Sequence, residues 1–175
     1  KLVDDASDAD LLARVARDAD SFNRWEAAQR LATRRMIASA QALRGGGAAL
    51  GAGDIAQALG ETLASVEGGG IELAAAAQML TLPSEMDVAR DIGADVDPDA
   101  VRGAREALRR EVGATLRDRL DALHRRLASQ GPLSPDATSA GRRAMRNVAL
   151  DLLMAGDPEL GMARVVAQGR EADNM

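Results

Sequence analysis

The sequence predicts an all-α protein, and three observations lead to this fold class. Aromatic residues are almost absent, with one Trp, one Phe and no Tyr in 175 residues, although 46% of the residues are hydrophobic. Ala, Leu and Arg fill the space and are good helix formers, whereas a β-sandwich or barrel uses more aromatic and β-branched side chains. Apolar residues also recur every three or four positions, in segments separated by Gly and Pro.

Helix starts and stops can be read along the first part of the chain. Ser7 and Asp10 have the spacing of a capping box, and Asp20 and Ser21 can cap a second helix. This second helix is predicted to end at the glycines 45–47. Its apolar positions are Trp25, Ala28, Ala32, Met36, Ala40 and Leu43.

Three shorter helices are predicted next. One starts at Asp54 and ends before the glycines 68–70. The almost wholly apolar segment 71–80 forms another, which we expect to be buried on most sides. Ser84 caps the third, and Gly93 ends it.

The longest predicted helix starts at Asp97-Pro98, runs for roughly 30 residues and is closed by Gly131-Pro132. Its apolar face is Val101, Ala104, Leu108, Val112, Leu116, Leu120, Leu123 and Leu127. Ser134-Pro135 and Asp157-Pro158 repeat the cap-then-proline start for two more helices. The first is predicted to bury Ala140, Ala144, Val148 and Leu152, and the second Leu160, Met162, Val165 and Val166.

Short connectors between these helices predict antiparallel helical hairpins, packed as a bundle or as a short HEAT/ARM-like superhelical array. No repeat of fixed period is present, so the sequence leaves both arrangements open. Residues 1–175 are interpreted as a single helical domain. Because the chain starts at Lys1 without Met and stops at Met175 soon after a well-patterned helix, it is predicted to be an incomplete fragment of a larger protein.

Charge and composition disfavour several function classes. A net charge of −5 and the lack of aromatic residues that could stack on bases argue against nucleic-acid binding. The longest apolar stretch, 71–82, is too short to span a bilayer, which needs about 20 residues. The chain contains no Cys, which excludes disulfides and fits a cytoplasmic location.

No residue emerges as a candidate catalytic or metal-binding group. His124 is the single histidine and is followed by two arginines, and no HExxH motif is present, so a structural histidine at the surface or partly buried is predicted. Trp25 is assigned to core packing because it lies on an apolar helix face. The carboxylates mostly stand at helix starts, where they cap amides; these are Asp8, Asp10, Asp20, Asp54, Asp97, Asp99 and Asp157.

Two further patterns suggest anion binding, but each has a simpler interpretation. Gly51-Ala52-Gly53 with Ala56 fits GxGxxA, yet the preceding strand and the βαβ unit of a dinucleotide site are missing. The basic cluster Arg142, Arg143 and Arg146 could bind a phosphate or an acidic partner. A solvated helix face, or ion pairs within the domain, explains it equally well.

Four segments nevertheless resemble a known family. They are FNRWEAAQ (22–29), LTLPSE (80–85), SAGRRAMRN (139–147) and ADNM (172–175). In this order and spacing they are similar to the first part of the C-terminal helical domain of bacterial aminopeptidase N, the alanyl aminopeptidase family of zinc metallopeptidases. The resemblance extends over essentially the whole chain.

This resemblance implies a parent enzyme that removes N-terminal residues, Ala among them, from peptides. The zinc of such an enzyme is held by an HExxH helix and a downstream Glu, and none of these residues lies in this chain. The resemblance therefore assigns it no catalytic, cofactor-binding or metal residue. It implies that the chain packs on the catalytic domain of the same parent and helps to enclose the active-site cavity.

Two alternatives remain open on the sequence alone. A stand-alone α-solenoid could bind protein partners through one of its surfaces. A nucleic-acid adaptor is the third hypothesis, and the acidic composition disfavours it.

Overall fold

The computed structural model describes residues 5–128 and 134–173, and within these ranges the chain is all helical apart from its turns and connectors. The all-α fold class is therefore confirmed. The predicted stop at Gly131-Pro132 lies outside the described residues. The helices are α1 (Asp8–Arg17), α2 (Ser21–Arg44), α3 (Gly53–Glu67), α4 (Leu73–Leu80), α5 (Glu85–Ile92), α6 (Pro98–Thr115), α7 (Arg117–Arg126), α8 (Ala137–Gly156) and α9 (Pro158–Asp173).

The helices form a row with further helices packed beside it. α1, α2, α6, α8 and α9 contact one another in that order, while α3 and α4 fill the space alongside and α5 and α7 lie against α6 and α8. The core between them is built almost entirely from Leu, Ala, Val and Met. In the part of the chain that the structure describes, no helix combines the length and the apolar character that crossing a membrane requires.

Local capping signals predicted most helix starts correctly. Ser7 and Asp10 form the reciprocal capping box of α1, with Ser7 N donating to Asp10 Oδ2 at 3.0 Å. Asp20 Oδ1 accepts from Phe22 N at 2.8 Å, and Asp157 Oδ1 accepts from Leu160 N at 3.0 Å. Such bonds depend only on residues a few positions apart, which is why the sequence alone predicts them.

The predicted 30-residue helix is wrong in one respect, because it breaks at Leu116 into α6 and α7. Leu116 keeps its place in the core, so the apolar pattern continues across the break. Its Cδ2 reaches within 3.3 Å of the position that a Cβ on Gly60 would take. Three residues earlier, Gly113 abuts α8. We attribute the break to these two contacts, which bring α3 and α8 against successive turns of the helix. The apolar spacing within a single helix carries no information about such neighbours.

The start and the buried face of α8 also differ from the prediction. The cap is Asp136, whose Oδ1 accepts from Ser139 N at 2.9 Å, and Ser134-Pro135 lies before it. Leu152 is buried and Val148 packs against the core as predicted, but Ala140 and Ala144 are exposed, and in the first half of the helix the buried face is displaced by one position, to Gly141 and Met145. Gly141 explains the displacement, because it faces α4 so closely that a Cβ there would lie 3.1 Å from Ala74 N.

The tightest helix crossing joins α6 to α8. A Cβ on Gly113 would overlap the carbonyl oxygen of Leu152, and a Cβ on Gly156 would overlap the backbone at Gly113 and Ala114. Only glycine at both positions allows the two backbones to come this close. Beside the crossing, Arg109 pairs with Glu106 on its own helix and with Asp151 of α8, which ties the helices together at the edge of the contact.

Candidate interaction surfaces

His124 lies in the core, deeper than the surface or partly buried position that the sequence predicted. Its side chain is 1% exposed, and Nε2 lies 3.0 Å from Oε1 of Gln168 on α9. The amide nitrogen of Gln168 lies 3.5 Å from Oδ1 of Asn147 on α8. The imidazole thus takes part in a polar contact between α7, α8 and α9 and is shielded from solvent.

The glycine-rich connector between α2 and α3 is occupied by the chain's own carboxylate. Oε2 of Glu111, on α6, accepts from the backbone amide of Ala52 at 2.7 Å. A Cβ on Gly53 would lie 3.4 Å from Oε1 of the same side chain. Because a carboxylate already binds the amide that a phosphate would use, the connector joins α6 to the α2–α3 turn and is not a nucleotide cradle.

Two of the three arginines in the basic cluster of α8 donate hydrogen bonds to backbone carbonyl oxygens. Arg142 donates to the carbonyl oxygens of Arg126, Leu127 and Ala128 at 3.0–3.2 Å, which satisfies the C-terminal end of α7. Arg143 donates to the carbonyl oxygen of Ser134 at 2.7 Å. Arg146 is 7% exposed. Arg142 and Arg143 thus bind backbone carbonyls, and Arg146 lies in the interior, so the structure does not gather the three guanidinium groups on one exposed face.

No metal site is visible in the described part of the chain, where no three His, Asp or Glu side chains come together in a way that could hold an ion. An apolar groove of about 590 Å³ lies between three parts of the fold: the α3–α4 connection, the end of α7 and the start of α8. Its charged lining residues are Glu72, Arg126 and Arg142, and Arg142 is already bound to carbonyls. The groove therefore offers a hydrophobic depression without an assembled polar site.

The two aromatic residues of the chain form an exposed pair, contrary to the prediction that Trp25 belongs to the core. Phe22 is 64% exposed and Trp25 is half-buried, and their ring centroids lie 5.6 Å apart with the planes tilted by 42°. We call this pair the aromatic face. Phe22 entered the sequence analysis only within the segment 22–29, because a shared helix face at a spacing of three does not distinguish an exposed pair from a buried one.

The first two segments that carry the family resemblance meet in the structure. Gln29, two turns after Phe22 on the same face of α2, donates from Nε2 to the carbonyl oxygen of Thr81 at 2.8 Å. Arg105 on α6 donates to the carbonyl oxygen of Pro83 at 3.0 Å. The connector before α5 is thereby fixed beside α2, which carries the aromatic face.

Buried Arg24 holds the start of α2 against its neighbours. Its Nε donates to the carbonyl oxygen of Val15 at 2.9 Å, and Nη2 lies 3.2 Å from Oγ1 of Thr62. Burial lowers the pKa of this guanidinium, and the nearby carboxylates of Asp18 and Glu61 oppose the shift. Arg24 is adjacent to Trp25, so these bonds also fix the backbone that presents the aromatic face.

A second exposed apolar surface lies on α9 and contradicts the prediction for that helix. Met162, Val165 and Val166 were expected in the core, but they are 52%, 40% and 46% exposed. Leu160 alone of the four predicted residues packs against the core. Apolar residues do recur at helical spacing along α9, but the side of the helix that carries most of them faces away from α8.

A charged pair anchors the inner side of α9 to α7. Arg164 donates to both carboxylate oxygens of Asp121, with Nη2 to Oδ2 at 3.1 Å. Hydrogen bonding from Arg164, together with the charges of Arg164, Arg125 and His124, lowers the pKa of Asp121 despite the opposing effect of burial. The Asp121 carboxylate is 13% exposed, so the pair is shielded from water.

These features define the chain as an all-α helical array with exposed apolar surfaces. Residues 8–175 match the family described as "Domain of unknown function (DUF3458_C) ARM repeats". The chain belongs to this family. The match confirms the array that the sequence analysis left as one of two arrangements.

The relatives agree with the resemblance found in the sequence. The chain is 38% identical to aminopeptidase N of Caulobacter vibrioides over 98% of its own length, and 33% identical to aminopeptidase N of Escherichia coli strain K12 over 97%. It spans 19% of the length of each relative. Aminopeptidase A of Legionella pneumophila, solved in complex with aspartic acid, shares the fold with a TM-score of 0.75 at 20% identity, over 97% of this chain and 20% of that one.

Asp121→Asn is expected to lower the free energy of unfolding by about 2 kcal/mol at pH 7, because Arg164 then loses an ionic acceptor. The pKa of Asp121 is depressed on folding, so its contribution is complete above the unfolded value of about 3.9 and is lost as the pH falls through the lower folded value. The variant's stability should therefore depend less on pH below about 5.

Urea unfolding between pH 2.5 and 7 measures this effect. Asp118→Asn is the control, because Asp118 is 90% exposed in its pair with Arg117 and should change little. Parallel pH profiles for wild type and Asp121→Asn would show that the pair does not stabilise the fold.

Proposed function

We propose that the chain is the non-catalytic helical part of a zinc-dependent aminopeptidase whose parent polypeptide removes N-terminal residues, Ala among them, from peptides. One observation carries the proposal: almost the whole chain aligns at 38% identity with a protein named aminopeptidase N, of which it spans 19%. A segment of this size leaves most of such a protein for the catalytic machinery. A cytoplasmic location for the parent stays a prediction.

Zinc does not fit the residues of this chain. His124 is enclosed by α8 and α9 and contacts Gln168, and the sequence holds no HExxH motif. A zinc ion in a metallopeptidase usually takes three protein ligands and keeps one position open for water. We therefore assign the zinc and all steps of peptide hydrolysis to other parts of the parent.

The role of this chain in the parent is that of a rigid wall that packs on the catalytic domain and helps to enclose the active-site cavity. The aromatic face is the contact surface that its chemistry favours, because large aromatic side chains contribute strongly at the centres of interfaces. Phe22 leaves most of its apolar surface in water when the chain is alone. The bonds of Arg24 and Gln29 fix the helix that presents this pair.

A second candidate is a stand-alone α-solenoid that binds protein partners, and the exposed apolar sides of α2 and α9 favour it. The gene sequence upstream of the Lys1 codon distinguishes the enzyme segment from the stand-alone solenoid. A start codon close to the Lys1 codon would indicate an independent module. An in-frame HExxH motif upstream, with a Glu about 20 residues further on, would indicate the enzyme.

The purified chain is expected to release no product from an alanine chromogenic amide, with or without added zinc, because the groups that bind zinc and activate water lie elsewhere. The full-length parent should hydrolyse the same amide and lose the activity with a chelator. Zinc-dependent turnover by the chain itself, or an inactive parent that is properly folded and zinc-loaded, would contradict the proposal.

Phe22→Ala is expected to leave the stability of the isolated chain within about 0.5 kcal/mol of wild type, because the side chain is exposed there. In the parent, truncation of a buried aromatic contact should cost about 2 kcal/mol. Urea unfolding of the helical domain in both proteins measures the difference. Leu50→Ala is the control, since Leu50 is also exposed at 47% but lies in the α2–α3 connector. Equal effects of Phe22→Ala in both proteins would exclude the aromatic face as the contact.

A further inference from the structure

The apolar groove between the α3–α4 connection, the end of α7 and the start of α8 is a preformed cleft. A Cβ on Gly141 of α8 would lie 3.1 Å from the backbone nitrogen of Ala74 on α4, so these two helices are in direct contact beside the groove. Arg142 ties α8 to the end of α7 through its bonds to carbonyl oxygens. Both walls are thus attached to α8. The volume of about 590 Å³ falls within the range of about 300–1,000 Å³ in which proteins bind drug-sized ligands.

The floor of the groove is apolar. Val66 and Leu127 belong to the buried core, while Ile71 and Leu73 pack against the core and are only partly buried. A ligand that lies on this floor removes apolar side-chain surface from water, which favours binding. The floor therefore favours a ligand with apolar side chains.

Two exposed side chains of opposite charge, Glu72 and Arg126, also line the groove. Within residues 5–128 and 134–173 neither side chain has a hydrogen-bond or ion-pair partner, and the two do not pair with each other. The helix ends use neither of them, because Glu72 precedes α4 without capping it and Arg142 binds the carbonyl oxygens at the end of α7. Two uncommitted charges of opposite sign beside one apolar floor complement a ligand that carries both signs.

We propose that the groove binds a short peptide with two free ends, of roughly two or three residues with apolar side chains. The amino group of the peptide pairs with Glu72, its terminal carboxylate pairs with Arg126, and its side chains cover Ile71 and Leu73. Arg126 suits this role because a guanidinium can bind a carboxylate through two parallel hydrogen bonds. The inference goes beyond the proposed function, since every group that it needs lies in this chain.

Methyl NMR locates the peptide, because only one of the four isoleucines of the chain lines the groove. The tripeptide Leu-Ala-Leu is added to the chain labelled at the δ1-methyl groups of isoleucine. The signal of Ile71, assigned with Ile71→Val, should shift and saturate with a Kd of about 1 mM or below. The signals of Ile37, Ile55 and Ile92 should stay in place. An Ile71 signal that shows no saturable shift up to about 10 mM peptide would overturn the proposal.

Peptides with altered ends or side chains test the chemistry of the ligand. Acetylation of the amino end and amidation of the carboxyl end should each raise the Kd about fivefold, because each removes one exposed charge pair. Triglycine keeps both charges but has no apolar side chain, so it should bind at least roughly tenfold more weakly. If a peptide blocked at both ends binds as tightly as the free one, the groove fits an internal segment of a protein partner, and the proposal fails.

Variants of the chain match each end of the peptide to its residue. Glu72→Gln should raise the Kd of the free peptide about fivefold and leave the Kd of the acetylated peptide unchanged. Arg126→Gln should do the same for the carboxyl end, with the amidated peptide unaffected. Glu85→Gln and Arg102→Gln are the matched controls, because they remove exposed charges outside the groove. Wild-type affinity in Glu72→Gln or in Arg126→Gln would contradict the proposed contacts.

The peptide site and the proposed function can fail separately. The chain holds no HExxH motif, so binding measured on the chain alone is not the binding of a substrate at zinc. A parent that hydrolyses no amino-terminal amide would remove the aminopeptidase assignment and keep the peptide site. An active parent whose helical chain shows no shift of the Ile71 signal would keep the function and remove the peptide site.

Discussion

The architecture depends on the backbone contact between α6 and α8 at Gly113 and Gly156. The two helices meet there without intervening side chains, and this close approach suits a core built mainly from Leu, Ala, Val and Met. It also fixes α8 where it can contact α4, α7 and α9. Glycine also allows close contact between α8 and α4 at Gly141, and between α9 and α8 at Gly161. Small residues at the helix crossings therefore set the spacing of the array.

Arginine side chains provide many of the hydrogen bonds that join separate segments of the described chain. Arg24, Arg105 and Arg142 donate to backbone carbonyl oxygens of other segments. Their long apolar stems pack along the helices while the guanidinium groups satisfy helix ends and connectors. These arginines therefore link separate segments of the fold through their guanidinium groups.

Local chemistry made much of the fold predictable, whereas the contacts between helices did not follow from the sequence. Caps such as Ser7 and Asp157 act over three residues, so they could be identified without a tertiary structure. The displaced face of α8 and the break at Leu116 both result from close approach by another helix, which no period in a single segment reports. Met162, Val165 and Val166 show the same limit: their spacing predicted an apolar face but not the neighbour it faces. Trp25 was misplaced because a position on an apolar stripe does not distinguish a fully buried side chain from a half-buried one.

Unfolding of Gly113→Ala in urea is the most direct test that the α6–α8 contact holds the array together. The added methyl group would overlap the Leu152 carbonyl, so we predict a loss of about 3 kcal/mol or failure to fold. Gly103→Ala on the same helix is the control, because its neighbour is the flexible end of Leu43 and the gain in helix propensity of about 1 kcal/mol offsets the contact. A Gly113→Ala protein as stable as Gly103→Ala would contradict the account.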